Sequence, residues 1–123
     1  MITLDTNAVI YHTSGDALVR DRIIRAIEHG GPMYVSAITV AELFRFPDLS
    51  VAEESATTLF LSGCSIINVD SAIAQHAGVI GRLYRLKLAD SIIAATALFT
   101  GTTLLTRNTR DFKRIAGLVV ERI

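Results

Sequence analysis

Short apolar runs alternate with longer amphipathic ones along the whole chain. Ile2-Thr3-Leu4 predicts a strand, and Asp16 to His29 carries Leu18, Val19, Ile23, Ile24 and Ile27 at helical spacing before Gly30-Gly31-Pro32 stops it. Met33-Tyr34-Val35 predicts a second strand. Ser36 to Phe46 predicts a helix ended at Pro47, and Val51 to Leu61 another ended at Gly63. Ser65-Ile66-Ile67, with Val69 beyond it, predicts the third strand, Ser71 to Arg85 and the small-residue segment Asp90 to Phe99 predict helices, and Thr103-Leu104-Leu105 predicts the fourth strand. A helical turn near Asp111 and a strand at Leu118-Val119-Val120 complete the series. Apolar strands divided by helices predict a mainly parallel sheet covered on both faces, a three-layer α/β/α sandwich. Ligands of such folds bind at the carboxyl ends of the strands.

That placement gives meaning to four acidic residues. Asp5 follows the first strand, Glu42 lies one turn into the helix after the second, Asp111 lies just past the fourth, and Asp90 opens the small-residue helix. Four converging carboxylates repel one another strongly in a pocket of low dielectric, so a fold that gathers them needs a compensating cation. Hard carboxylate oxygens suit Mg²⁺ or Mn²⁺. Each residue also has a structural reading. Asp5 and Asp90 could cap helices, Thr39-Val40-Ala41-Glu42 matches a capping box, and Asp111 could be a solvated loop carboxylate. His12, His29 and His76 show no metal-ligand spacing, and no serine has a partnering histidine motif.

The chain of 123 residues has no internal repeat or Pro/Gly-rich linker, which predicts a single domain over residues 1–123. Half of the residues are hydrophobic, high for so small a domain, so part of that surface is expected to meet a partner. Val51, Ala52, Leu59, Phe60 and Leu61 are candidates for it, or for plain core roles. The longest apolar stretch, Ile92 to Leu105, is broken by four threonines and a glycine and falls short of the roughly 20 residues of a membrane span. The amino terminus lacks the pattern of a signal peptide, and the sole cysteine, Cys64, excludes an internal disulfide. Both point to a reducing cytoplasm, with Cys64 as a buried thiol.

Formal net charge is zero, yet residues 1–81 hold nine Asp/Glu against four Arg and residues 82–123 hold three against eight Lys/Arg, −5 and +5. The positive half predicts either solvated helix faces or a basic rim beside the acidic site. Arg82, Arg85, Arg107 and Arg110 would be the residues of that rim that position a phosphate backbone.

The wording around the quartet narrows the choice. Leu4-Asp5-Thr6-Asn7, Ser36 through Leu43, Ala89-Asp90-Ser91-Ile92-Ile93-Ala94-Ala95 and Leu105 through Phe112, in this order and spacing, resemble the PIN-domain family. Within it, the chain resembles the VapC-type toxins of toxin–antitoxin pairs, nearly end to end. The resemblance implies a Mg²⁺- or Mn²⁺-dependent endoribonuclease whose catalytic metal ligands are Asp5, Glu42, Asp90 and Asp111, the last at a position that varies more among relatives. It further implies that Thr6, Asn7, Ser36, Thr106 and Asn108 orient ligands or waters. Its implied partners are an RNA substrate, a silencing antitoxin whose carboxyl-terminal segment wraps the toxin, and a second copy of the chain, in a homodimer or a dimer of toxin–antitoxin dimers. One departure is local: the short segment between Arg82 and Asp90 lacks the glycine that many relatives carry there.

Three rivals read the same residues differently. A receiver-type phosphoacceptor domain calls for a lysine after its last strands, where Thr106 is followed by Arg107 and Asn108. A haloacid-dehalogenase-like phosphatase calls for a second aspartate where Asn7 stands. A non-catalytic interaction domain on the PIN-like fold would be expected to have lost one of the four carboxylates.

Overall fold

The apolar triplets pair into one sheet. In a computed structural model that describes residues 1–123, β1 (Ile2–Leu4), β2 (Met33–Ser36), β3 (Ser65–Ile67), β4 (Thr103–Thr106) and β5 (Val120–Arg122) take the order β3-β2-β1-β4-β5. Every pairing is parallel, with Leu4 opposite Val35 on one side and Leu105 on the other. Parallel neighbours need crossovers, and seven helices provide them: α1 (Thr6–Thr13), α2 (Ala17–Glu28), α3 (Ala37–Phe44), α4 (Val51–Ser62), α5 (Ser71–Tyr84), α6 (Leu88–Thr100) and α7 (Thr109–Phe112).

Strand alternation distributes the core between two layers. Ile2, Leu4, Val35 and Leu105 meet Val9, Val19, Ile23, Leu43 and Leu61 from α1, α2, α3 and α4. Leu104 meets Ile73, Ala77 and Ile80 of α5, Ile93 and Ala94 of α6, and Phe112 of α7. The result is the expected three-layer α/β/α sandwich, its sheet wholly parallel. Seven consecutive residues of α6, Ser91 to Ala97, are buried, which its small side chains permit against both α5 and the sheet. Gly81 shows how close α5 comes: a Cβ there would sit 2.8 Å from the Ser91 hydroxyl.

Residues 6–13 form α1, the helix that Asp5 caps, its apolar residues contiguous rather than periodic. Three local expectations are corrected. The last strand lies two residues later than Leu118–Val120, since Leu118 N–H still bonds back to Ile115 O and Gly117 turns at φ 81°. The capping box at Thr39 does not form: α3 begins at Ala37, Ser36 Oγ accepts from Ile38 N–H at 3.2 Å, and Thr39 is fully buried inside the first turn. Asp90 is the third residue of α6 rather than its cap, which is Lys87, with no side-chain bond. In the segment without glycine, Arg85 takes the left-handed conformation (φ 54°, ψ 47°) to end α5, a geometry that costs a residue with a Cβ roughly 1–2 kcal/mol.

Cys64 is half-buried rather than buried, its thiol against Phe60 O, with partial burial pushing it up to about 11. No helix is long and apolar enough to cross a membrane. From β1 the chain winds outward through β2 and β3, then returns to the other side of β1 for β4 and β5. The carboxyl end of β1 therefore sits at the switch point, where a crevice opens.

Candidate active site

Asp5 occupies that crevice. It is 6% exposed, and each carboxylate oxygen has a donor: Oδ1 accepts from Ala8 N–H at 2.7 Å and Oδ2 from the Thr106 hydroxyl at 2.6 Å. Asp5 is thus the N-cap of α1 and a member of the acidic group at once. Capping fixes its orientation, and each oxygen keeps a further lone pair.

Glu42 is brought in by α3 and held by Thr6. The Thr6 hydroxyl donates to Glu42 Oε1 at 2.6 Å and lies 3.1 Å from the buried Thr39 hydroxyl, joining the first turn of α1 to α3. Thr6→Val keeps the side-chain volume and removes the donor, so Glu42 should swing free. Turnover is expected to fall by about 10- to 100-fold, the usual cost of losing an outer-shell partner, with Thr6→Ser recovering most of it. Wild-type turnover in Thr6→Val would show that Glu42 needs no clamp.

The fourth strand supplies a relay. Thr106 Oγ1 donates to Asp5 while accepting from Asn108 N–H at 2.9 Å, and the Asn108 amide donates to Asp111 Oδ2 at 3.1 Å. Thr106 and Asn108 therefore support the acidic residues from behind. Ser36 is fully buried and caps α3, which carries Glu42. Asn7 is exposed on the cleft wall.

The acids also act on one another through their charges. Burial raises the Asp5 carboxyl above the ordinary aspartate range; the bonds from Thr106 and Ala8 offset part of this, and the charges of Asp90 and Glu42 add to it. Burial also raises Asp90, followed by the charge of Glu42, with Lys87 opposing and Asp111 adding. Asp5, Glu42 and Asp90 line a cleft of about 410 Å³ together with Thr6, Asn7 and Arg45. Asp111 stands outside that lining and reaches the group through Asn108 and through the field at Asp90.

The donor set is hard, anionic oxygen, with Asp5 and Asp90 raised by burial first and by neighbouring acids after it, which is the chemistry of a divalent-cation site. No three carboxylates stand at the spacing of a single ion's ligands. That suits a cation such as Mg²⁺, which takes one or two protein carboxylates and retains water for the rest. Asp5, Glu42 and Asp90 all line that cleft, though not as the shell of one ion.

Arg107 is committed to the fold. Its guanidinium bonds Asp16 Oδ2 at 2.6 Å and Ile123 O at 2.8 Å and lies 4.1 Å over the Tyr11 ring. Arg82, Arg85 and Arg110 are exposed, and the charge of Lys87 opposes the rise at Asp90. Sequence reasoning missed Arg45, Phe46 and Pro47, which complete one wall of the cleft with Ile10 and Ile93. The signal was available for Arg45, three residues beyond Glu42 and so on the same helical face.

Comparison with known proteins identifies the family. Residues 2–118 match the PIN domain family. The chain is 32% identical over 131 residues to the tRNA(fMet)-specific endonuclease VapC of Shigella flexneri, covering 96% of this chain and 94% of that protein. It is 34% identical over 128 residues to the ribonuclease VapC2 of Haemophilus influenzae, with the same coverage. The fold superposes on a toxin–antitoxin complex from Klebsiella pneumoniae with TM-score 0.81, 34% identity and 100% of both chains covered. For VapBC2 from Rickettsia felis bound to a promoter DNA fragment the TM-score is 0.85, at 26% identity over 100% of this chain and 99% of that one. Fold, acidic cleft and full-length similarity together make the chain a member of the PIN-domain family, in its VapC branch.

Proposed function

We propose that this protein is the ribonuclease toxin of a toxin–antitoxin pair, cutting RNA phosphodiesters to 5′-phosphate and 3′-hydroxyl ends with Mg²⁺ or Mn²⁺. The observation that carries the reading is the cleft at the switch point, where buried Asp5 and half-buried Asp90 face Glu42 with no basic side chain ion-paired to any of them. When bound there, the metal supplies Lewis acidity, lowering the pKa of water and offsetting phosphoryl charge. Asp5, oriented by Ala8 and Thr106, and Asp90 contribute the anionic oxygens that hold it. Glu42, set by Thr6, stands where it can accept a proton from the attacking water. The new bond joins that water's oxygen to phosphorus, the bond from phosphorus to the 3′-oxygen breaks, and a proton ends on the leaving oxygen.

Purified free of any antitoxin and incubated with total cellular RNA and Mg²⁺ or Mn²⁺, the chain should produce discrete fragments with 5′-phosphate ends. If no RNA is cut, or if Asp5→Asn cuts as well as the wild type, the reading fails. Transfer RNA, named in the Shigella relative, is the first class to test. Exposed Arg82, Arg85 and Arg110, with Lys87, form the rim proposed to guide the backbone.

A second cleft supports the antitoxin partnership. Ile10, Leu43, Phe46, Leu49, Ala52 and Ala56 line an apolar groove of about 320 Å³ that shares Ile10 and Phe46 with the acidic cleft. An apolar segment lying in it would run directly to the metal ligands. Val51 and Leu59 are widely exposed beside it on α4, whereas Leu61 is buried and Phe60 packs against the core. Ala56→Glu should weaken the antitoxin complex at least about tenfold, read as nuclease activity released in a titration against the antitoxin. Unchanged inhibition would place the antitoxin elsewhere. A homodimer, and a dimer of toxin–antitoxin dimers, are carried over from family resemblance.

A further inference from the structure

The wall of the cleft formed by Arg45, Phe46 and Pro47 has no role in holding the carboxylates. Arg45 ends α3, its backbone N–H bonded to Ala41 O at 3.1 Å, and its side chain is exposed and lines the cleft. Yet it enters no ion pair: the chain's two are Arg22 with Glu121 and Arg107 with Asp16. A long, flexible cation one helical turn from Glu42 would close onto a carboxylate if neutralising the cleft were its purpose. Lys87, across the site, is the cation that acts on Asp90. Arg45 instead keeps its charge and its donors for something that enters.

What enters must be anionic, and the floor of the cleft repels anions. A polyanion whose scissile phosphate lies over the carboxylates and their cation gains nothing there for its neighbouring phosphates. They need a cation at the rim, and a guanidinium fits a phosphate with two parallel bonds. Beside it, Phe46 is 52% exposed on the same wall, a costly position for a phenyl ring that touches no ligand. Single-stranded RNA presents unstacked bases that bind to such rings.

We infer that Arg45 and Phe46 hold one nucleotide of single-stranded RNA next to the scissile phosphate, Arg45 binding its phosphate and Phe46 stacking on its base. This rests on the nuclease reading and names the part of the cleft that grips the strand rather than cuts it. Arg45 serves any sequence, and Phe46 favours a position where the base is splayed out of a helix. The apolar groove behind Phe46 gives the antitoxin a means to compete: a segment seated there would cover the ring and deny the nucleotide its platform.

The test uses the full chain and a fluorescein-labelled, random-sequence single-stranded RNA, with affinity followed over a salt series in the Asp5→Asn background. The same substitutions are made in the active chain against total cellular RNA. Arg45→Ala should weaken binding about tenfold and reduce the slope of log Kd against log salt by about 0.7, the value for one phosphate contact on a single strand. Arg45→Lys should restore the slope and part of the affinity. Phe46→Ala should weaken binding about tenfold with the slope unchanged, and Phe46→Tyr should restore it. In the active chain the larger part of each loss should fall on KM. Unchanged affinity and slope in Arg45→Ala, with wild-type RNA cleavage intact, overturns the inference for Arg45 and leaves the nuclease reading standing. A Phe46→Ala chain that binds RNA normally but loses its antitoxin overturns the role of Phe46. Absence of both RNA binding and cleavage in the wild type removes the nuclease reading itself.

Discussion

Asp5→Asn is expected to lower RNA cleavage by about a thousandfold or more and to leave the fold standing. The substitution is close to isosteric and spares the structural duties of the residue. Asparagine caps helices as well as aspartate does, so the bond from Ala8 N–H survives. The Thr106 hydroxyl can turn to accept from the new amide in place of donating to Oδ2. Only the charge is lost. In metal-free protein that charge is a burden, because burial and the fields of Asp90 and Glu42 raise the Asp5 carboxyl. A raised carboxyl means that the folded state binds more protons than the unfolded one, so stability is fully present below the ordinary aspartate pKa and declines as pH rises through the folded value. Above that window wild type carries the repulsion and Asp5→Asn does not. With EDTA present at neutral pH, Asp5→Asn should therefore unfold at the same temperature as wild type or a higher one, and the difference should vanish in acid. An inactive variant that also unfolds at lower temperature would show Asp5 to be chiefly a structural cap.

Much of this arrangement could be read from the chain because strand ends are local features. A triplet such as Ile2-Thr3-Leu4 followed by Asp5 announces both a strand and what stands at its carboxyl end, and the same holds for Leu104-Leu105 leading to Asp111. Contiguous apolar residues concealed the extent of α1, although Asp5 announces its start. What remained hidden depends on contacts between distant segments. Thr6 clamping Glu42 spans 36 positions, and Arg107 held by Asp16 spans 91. Nothing near Arg107 distinguishes it from the exposed Arg110, and only the packing of the chain end against α1 and α2 shows that its charge is spent. The cleft wall at Arg45 to Pro47 is of the same kind. Pro47 reads as a helix stop in sequence, and its place in the lining of the acidic cleft follows only from the position of α3 across the switch point.

Divalent metal should stabilise the wild type and leave charge-neutralised variants unmoved. A ligand bound only by the folded state, at a hundred times its dissociation constant, adds about 2.7 kcal/mol, which for a domain of this size is a rise in Tm on the order of 10 °C. Asp5→Asn and Asp90→Asn should lose most of that rise, and EDTA should abolish both the rise and RNA cleavage, with Mn²⁺ restoring each. The pH dependence follows from the same residues. Asp5 and Asp90 are both raised, burial first in each case and neighbouring acids after it, so below their folded values a cation must displace protons to bind. Affinity and activity should therefore climb as pH rises above the ordinary aspartate range and level off once both carboxyls are ionised, with proton release measurable by titrating metal in buffers of different ionisation enthalpy. A cation such as Mg²⁺ takes one or two protein carboxylates and keeps the rest of its shell for water and the phosphate of the substrate. Metal and RNA should accordingly tighten each other by the same factor, as linkage requires. A metal titration whose midpoint is indifferent to RNA, or cleavage undiminished in EDTA, would mean that these carboxylates act on the phosphodiester without a cation.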